Sequence, residues 1–216
     1  MGKAEQLKAI AESGVVAVIR TNNAAELINI CKAMAAGGVM GVEITMTSPG
    51  ALEAIKEASA ELGSKAIIGA GSVLDAETAR MCILAGADFV VSPAFDPAVV
   101  EMCNRYGKIV IPGAFTPTEI LRAWQAGADV VKVFPATSVG PSYLKDILGP
   151  MPQVKLTPTG GINLDNLGDF IKAGAVFVGA GSSLVNKQLV AEGKWDELAE
   201  RAAKFVAAAK AARNAG

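Results

Sequence analysis

The 216-residue chain contains no histidine. That absence excludes a Ser-His-Asp or Cys-His relay, an imidazole proton shuttle and a histidine-ligated zinc. Acid-base work falls to Glu, Asp, Lys, Tyr, Cys or a phosphate carried by the substrate. Cysteine is scarce too: Cys31, Cys82 and Cys103 are odd in number and far apart, which argues against a disulfide framework or a Cys-x-x-Cys metal site and fits a reducing cytoplasm. No excess of positive charge exists, since 20 Lys plus Arg stand against 21 Asp plus Glu. The chain therefore has no basic footprint for nucleic acid, and a small molecule is the expected ligand. No run approaches about 18 consecutive apolar residues, and the N-terminal MGKAEQLKAI lacks the apolar stretch of a signal peptide, so neither a membrane span nor a leader is expected. Aromatics make up 5% of a chain that is 51% hydrophobic. The mean hydropathy of +0.38 thus rests on aliphatic side chains, which call for a large core, or a core plus a subunit interface.

What the chain has in quantity is short runs rich in valine and isoleucine. They are VVAVIR (15–20), VMGVEIT (39–45), KAIIGAG (65–71), ADFVVSP (87–93), KIVIPGA (108–114), DVVKVFPA (129–136), QVKLTPTGG (153–161) and AVFVGAG (175–181). Their spacing is that of a repeated strand-helix unit, and their continuous apolarity is that of strands covered on both faces. Eight such units with right-handed crossovers predict an α/β fold, a compact (β/α)8 TIM barrel. A single domain over residues 1–216 is expected, with an N-terminal helix over 3–13 and an Ala-rich C-terminal helix over 195–213. Between the strands, Asn23, Ser48-Pro49, Asp75, Asp96-Pro97, Thr116-Pro117 and Asp165 read as helix starts, and a short helix is expected over 142–148.

Chemistry in such a barrel sits at the C-terminal ends of the strands. Three charges interrupt the apolar runs there: Arg20, Glu43 and Lys132. Strand alternation puts Glu43 on one face with Gly41 and Thr45, and Lys132 with Val130 and Phe134. If Val42, Ile44, Val131 and Val133 face the helices, both charges point into the barrel. An amine among apolar side chains is costly to bury charged, and burial favours the neutral form that attacks a carbonyl to give a Schiff base. Lys155 is a weaker rival, expected near the bottom or outside. Glu43 would be the acid-base partner. The alternative is a buried Lys-Glu pair that only fills the barrel. Asp88 and Asp129, which open their strands, are expected to be solvated or capping.

Two glycine turns carry a second signal. Thr159-Gly160-Gly161 follows the seventh run and Gly179-Ala180-Gly181-Ser182-Ser183 the eighth, the positions where backbone amides and a following helix start cradle phosphate in this architecture. Gly69-Ala70-Gly71-Ser72 reads equally as a tight turn or a ligand contact; its spacing is not that of a dinucleotide fingerprint.

Val42-Glu43-Ile44-Thr45, Gly69-Ala70-Gly71-Ser72-Val73-Leu74, Ser92-Pro93, Pro112-Gly113, Thr116-Pro117-Thr118-Glu119, Val131-Lys132-Val133-Phe134-Pro135-Ala136 and Pro158-Thr159-Gly160-Gly161-Ile162 together resemble the 2-keto-3-deoxy-6-phosphogluconate (KDPG) aldolase and 4-hydroxy-2-oxoglutarate aldolase family. The resemblance runs in order over roughly residues 10–205. It implies a class I, Schiff-base aldolase of the Entner-Doudoroff route, a small (β/α)8 barrel, a homotrimer, and a covalent lysine imine with neither cofactor nor metal. By the same resemblance Lys132 is the Schiff-base lysine and Glu43 the acid-base glutamate. Phe134 lies beside the lysine, Thr159 positions the substrate, Pro93 and Pro112 shape the pocket, Gly160, Gly161 and Ser182 hold phosphate, and Ser72 stands where many relatives have threonine. Gly181 is expected at the phosphate with its neighbour Ser182, and Thr47 and Ser72 at the substrate.

Two departures bear on the substrate. Several relatives read Glu-Val-Thr-Leu-Arg-Thr, with an arginine for the substrate carboxylate where Thr47 stands here, and glutamate often replaces Thr137. Arg20, which some members share, is the expected substitute for that arginine. The substrate implied is a phosphorylated keto acid, with gluconate or galactonate stereochemistry left open. Other readings are a phosphosugar isomerase or decarboxylase, and a trimeric barrel serving as an assembly scaffold. The last draws on the apolar LINICKAM (27–34) and Met81-Cys82-Ile83-Leu84 stretches.

Overall fold

The computed structural model describes residues 1–214. All eight apolar runs contain strands, and every strand pairing is parallel. In chain order the elements are α1 (Lys3–Ser13), β1 (Val15–Ile19), α2 (Ala24–Ala36), β2 (Gly41–Thr45), α3 (Ala51–Leu62), β3 (Ile67–Gly71), α4 (Ala76–Ala85), β4 (Phe89–Val91) and α5 (Pro97–Arg105). There follow β5 (Ile109–Ile111), β6 (Gly113–Ala114), α6 (Pro117–Gln125), β7 (Val131–Val133), α7 (Gly140–Leu148), β8 (Leu156–Pro158), α8 (Leu167–Lys172), β9 (Val178–Ala180), α9 (Lys187–Ala191) and α10 (Trp195–Asn214).

The strands form a curled six-stranded sheet, β5-β4-β3-β2-β1-β9, and a three-stranded one, β6-β7-β8. The expectation of one closed ladder is corrected at two seams. At the first, Pro112 separates β5 from β6: proline has no N–H to give to a ladder, although its carbonyl still accepts from Lys132 N at 2.9 Å. At the second, β8 and β9 are joined by the isolated bridges Leu156 to Ala175 and Thr159 to Gly179. The result is a parallel α/β fold of TIM-like barrel form.

Alternation along the strands sorts side chains into two cores. Val42, Ile44, Ile68, Val90, Val110, Val131 and Val133 pack outward against the helices. Val16, Ile67, Phe89, Ile109, Ile111, Val130 and Phe177 pack inward, joined by Ile10 of α1, which covers the barrel's lower end.

Helix starts form where a side chain is free to accept the helix's first N–H groups. Asn23, Asp75, Asp96 and Thr116 all do so. Ser48 does not, because its Oγ accepts from Thr21 N across 27 residues; α3 begins later, after Gly50 in the left-handed region. Asp165 does not either: the Asn163 side chain accepts from the amides of Asp165 and Asn166, and α8 starts at Leu167. The helix expected over 142–148 begins two residues earlier, with Pro141 in its first turn. At the C-terminus the helix expected over 195–213 is α10, and residues 215 and 216 lie outside the described residues. Asp88 and Asp129 serve the lower end, pairing with Lys108 at 2.8 Å and Lys3 at 2.9 Å.

Candidate functional site

The inner face of β2 carries Glu43, 3% exposed, and that of β7 carries Lys132, 6% exposed. Register fixes their height. Glu43 lies opposite Val18 of β1 and Gly69 of β3, while Lys132 lies opposite Gly113 of β6 and Thr157 of β8. A Cβ at Gly71 would collide with the Glu43 carboxylate. A residue without a side chain is therefore required there if the acid is to lie against the end of β3. Gly69-Ala70-Gly71, which could have formed a turn, is the body of β3. The left-handed residue is Ser72, at φ 57°.

Burial pushes the Glu43 carboxyl above its ordinary value, and the nearby charges of Lys132 and then Arg20 pull it partly back. Both candidate cations thus act on the same acid. Lys132 Nζ sits 4.7 Å from the centre of the Phe134 ring, a cation-π distance. Lys155, the rival, is exposed. The three thiols are buried in the core. Desolvation raises Cys31 and Cys103 to about 12 and Cys82 to about 11, which withholds the thiolate that a cysteine nucleophile needs.

Beside this pair a cavity of about 720 Å³ opens at the strand ends, lined by Val18, Arg20, Thr159, Gly160, Gly181 and Ser182. Five of the expected site residues are thereby brought together: Arg20, Thr159, Gly160, Gly181 and Ser182. Val18 connects the cavity to Glu43 by register, and Thr159, two residues beyond Thr157 on the same face, connects it to Lys132. Glu43 and Lys132 themselves do not line this cavity, nor do Thr47, Ser72, Pro93, Phe134 and Gly161, which follow the ends of their strands. The Thr47 hydroxyl, standing in for an expected arginine, hydrogen-bonds Thr45 Oγ1 at 3.0 Å. The phosphate-cradle expectation needs one correction. Neither glycine turn runs directly into a helix: α8 starts at Leu167 and α9 at Lys187, so what the turns themselves offer an anion is their own amides and the Ser182 hydroxyl rather than a helix start.

Sequence reasoning missed the cavity's far wall, where Asn22, Glu26 and Lys187 stand. The search for charges at strand ends passes over them because they belong to a loop and to helix starts. It also missed Thr157, buried at 2%, which strand alternation puts on the same face as Thr159. Its hydroxyl donates to the Phe177 carbonyl at 2.9 Å. A second cavity, about 410 Å³ between α9 and α10, is lined by Glu192, Lys194 and Arg201 among others and lies away from the strand ends.

Comparison with known proteins places this geometry. The family model described as KDPG and KHG aldolase matches residues 7–201. The 2-dehydro-3-deoxy-phosphogluconate aldolase of Haemophilus influenzae is 35% identical over 193 residues, covering 89% of this chain and 91% of its own. A KDPG aldolase from Legionella pneumophila, solved with pyruvate captured as a covalent carbinolamine intermediate, superposes with a TM-score of 0.85 at 28% identity, covering 93% of this chain and 97% of that one. A cube-shaped porous cage, designed by fusing symmetric oligomeric domains, matches with a TM-score of 0.86 at 32% identity, over 94% of this chain and 74% of the other.

Proposed function

The chain belongs to the KDPG and KHG aldolase family, whose named members are carbon-carbon lyases, and we propose that it cleaves 2-keto-3-deoxy-6-phosphogluconate or a close analogue to pyruvate and D-glyceraldehyde 3-phosphate through an imine on Lys132. The observation that carries this reading is the pairing of one buried lysine with one buried glutamate on inward strand faces, beside a cavity with glycine turns on its wall.

The amine of Lys132 attacks the C2 ketone and forms a carbinolamine. Loss of water gives the iminium. Glu43 moves protons at these stages and, directly or through water, takes the proton of the C4 hydroxyl as the C3–C4 bond breaks. The bond's electron pair passes into the iminium, leaving an enamine and releasing the aldehyde. Protonation of the enamine at C3 and hydrolysis then return pyruvate and the free amine. The iminium is the electron sink, so no metal or cofactor enters the scheme. A carboxyl held above its ordinary value by burial suits a group that must both give and take a proton near neutrality.

The remaining assignments belong to the same reading. Gly160, Gly161, Gly181 and Ser182 take the phosphate, Arg20 takes the carboxylate that Thr47 cannot, and Ser72, Pro93, Phe134 and Thr159 shape the pocket. Counting β5 and β6 as one strand interrupted at Pro112, the ring has eight staves, a compact (β/α)8 barrel forming one domain. Leu74, Met81 and Leu84, on and just before α4, are 65%, 47% and 68% exposed; large apolar side chains left in water so near one another in sequence support an interface, and with it the homotrimer. Three free, buried thiols support a cytoplasmic setting. The test is trapping: pyruvate with borohydride should leave a stable adduct on Lys132, located by peptide mass. Labelling at another lysine, or none, would overturn the mechanism.

A further inference from the structure

The two turns assigned to phosphate lie at the ends of β8 and β9, the pair of neighbours joined by isolated bridges. Their separation is therefore only weakly fixed by backbone pairing, and side chains take over. Ser183 Oγ donates to the Ile162 carbonyl, tying the turn after β9 to the turn after β8. The Ser183 carbonyl in turn accepts from Arg201 Nε at 2.6 Å. Arg201 is held on α10 with its guanidinium 5.9 Å from the ring of Phe205, which is fully buried. On the other side, the Asn166 amide donates to the Gly161 carbonyl at 2.9 Å while its Oδ1 accepts from Asn163 N at 2.9 Å.

We propose that Ser183 and Arg201 are positioning residues, a clasp that sets the distance between the Gly160-Gly161 and Gly181-Ser182 turns before the substrate's phosphate arrives. Neither side chain touches substrate; the inference rests on the phosphate assignment made above. An anion held by donors on two separate turns is sensitive to their spacing, because hydrogen bonds form over donor–acceptor distances of only about 2.7–3.2 Å and weaken steeply as their angle closes. Turns fixed in advance also avoid an ordering cost at the moment of binding. The clasp runs from α10, distant in sequence, through the Ser183 carbonyl and hydroxyl to Ile162, and each link is a single hydrogen bond that can be removed separately.

The experiment compares a phosphate-dependent and a phosphate-independent readout on the same variants. Cleavage of 2-keto-3-deoxy-6-phosphogluconate uses the turns; exchange of pyruvate methyl protons with deuterated solvent uses the Lys132 imine and Glu43 but no phosphate. Ser183→Ala and Arg201→Met should each raise KM for the phosphorylated substrate about tenfold, equivalent to about 1.4 kcal/mol, with kcat and the pyruvate exchange rate unchanged. The inhibition constant of inorganic phosphate should rise in parallel, and Ser183→Thr and Arg201→Lys should restore much of the loss. An equal fall in both readouts would mean a structural role only, and no change in KM would mean no clasp; either overturns the proposal. Should Ser183→Ala fail to fold by circular dichroism, the Arg201 pair carries the test alone. Wild-type protein that inorganic phosphate does not inhibit would instead remove the phosphate assignment on which the clasp depends.

Discussion

On β3, Ile67 belongs to the barrel's floor and Gly71 to its mouth, four residues along one strand. The floor is filled by large apolar side chains, Ile67, Phe89, Ile109 and Phe177, closed from below by Ile10. The mouth is given over to Glu43, Lys132 and Thr157, with glycine at 71 where a side chain would strike the acid. Gly69 marks the border, since a Cβ there would run into the Phe89 ring. The same strands thus supply close packing at one end and desolvated ionisable groups at the other. Packing stabilises the fold, whereas buried charges seldom do. Substitutions at the two levels should therefore separate stability from turnover.

The largest effect should come from Lys132→Met. Without an amine no imine can form, and turnover should be lost entirely; Glu43 loses the charge that offsets its burial, so the melting temperature should stay close to wild type only at a pH low enough to keep that carboxyl protonated. A marked drop in Tm at that pH would mean that the mouth is as structural as the floor.

Glu43→Gln comes next, with kcat expected to fall about 10²- to 10⁴-fold. Its stability signature is a pH dependence. Because burial raises the carboxyl above 4.5 in the folded chain, there is a window, from that ordinary value up to the raised one, in which the unfolded chain has released the proton and the folded chain still holds it. The folded state then binds more protons, so wild-type stability falls as pH rises through the window. Glutamine does not titrate. The Tm of the variant should therefore gain on wild type with rising pH, and calorimetry at several pH values reads this directly. Parallel curves would remove the burial argument.

At the floor, Phe89→Ala should cost about 3–5 kcal/mol, lowering Tm by on the order of 10 °C. Turnover per folded molecule should be unchanged at temperatures well below the transition. A loss of kcat at constant folded fraction would show that the border at Gly69 transmits packing to the mouth.

How much of this was legible in the sequence follows the range of the forces involved. All eight strands were, because a strand covered on both faces is apolar at every position. Glu43 and Lys132 were legible for the converse reason, as charges inside such runs. Helix starts were legible at Asn23, Asp75, Asp96 and Thr116, whose side chains act within their own turn. They were misplaced at Ser48 and Asp165, where the bonding depends on Thr21 and Asn163. The seam at Pro112 was visible as a residue but not as a break in the ladder. The cavity was half legible: its strand-end wall follows from the charge that ends one apolar run and the glycine turns that follow the last two, whereas Lys187 and the contacts of Ser183 with Ile162 and Arg201 join distant segments and leave no periodic trace.

The smallest effect tests whether strain belongs to the mouth alone. Among the described residues Ser72 is the one non-glycine with positive φ, at 57°, and it follows directly on the last residue of β3. A left-handed residue with a Cβ costs roughly 1–2 kcal/mol, which glycine would relieve; against this, glycine has more freedom to lose on folding, about 0.4–1 kcal/mol. Ser72→Gly should therefore stabilise by no more than about 1.6 kcal/mol, and any drop in Tm would refute the strain. A rise in Tm accompanied by weaker kcat/KM would show that the serine is kept against a stability cost for what it does at the mouth. A rise in Tm with unchanged kinetics would leave the strained backbone as a by-product of turning the chain away from Glu43.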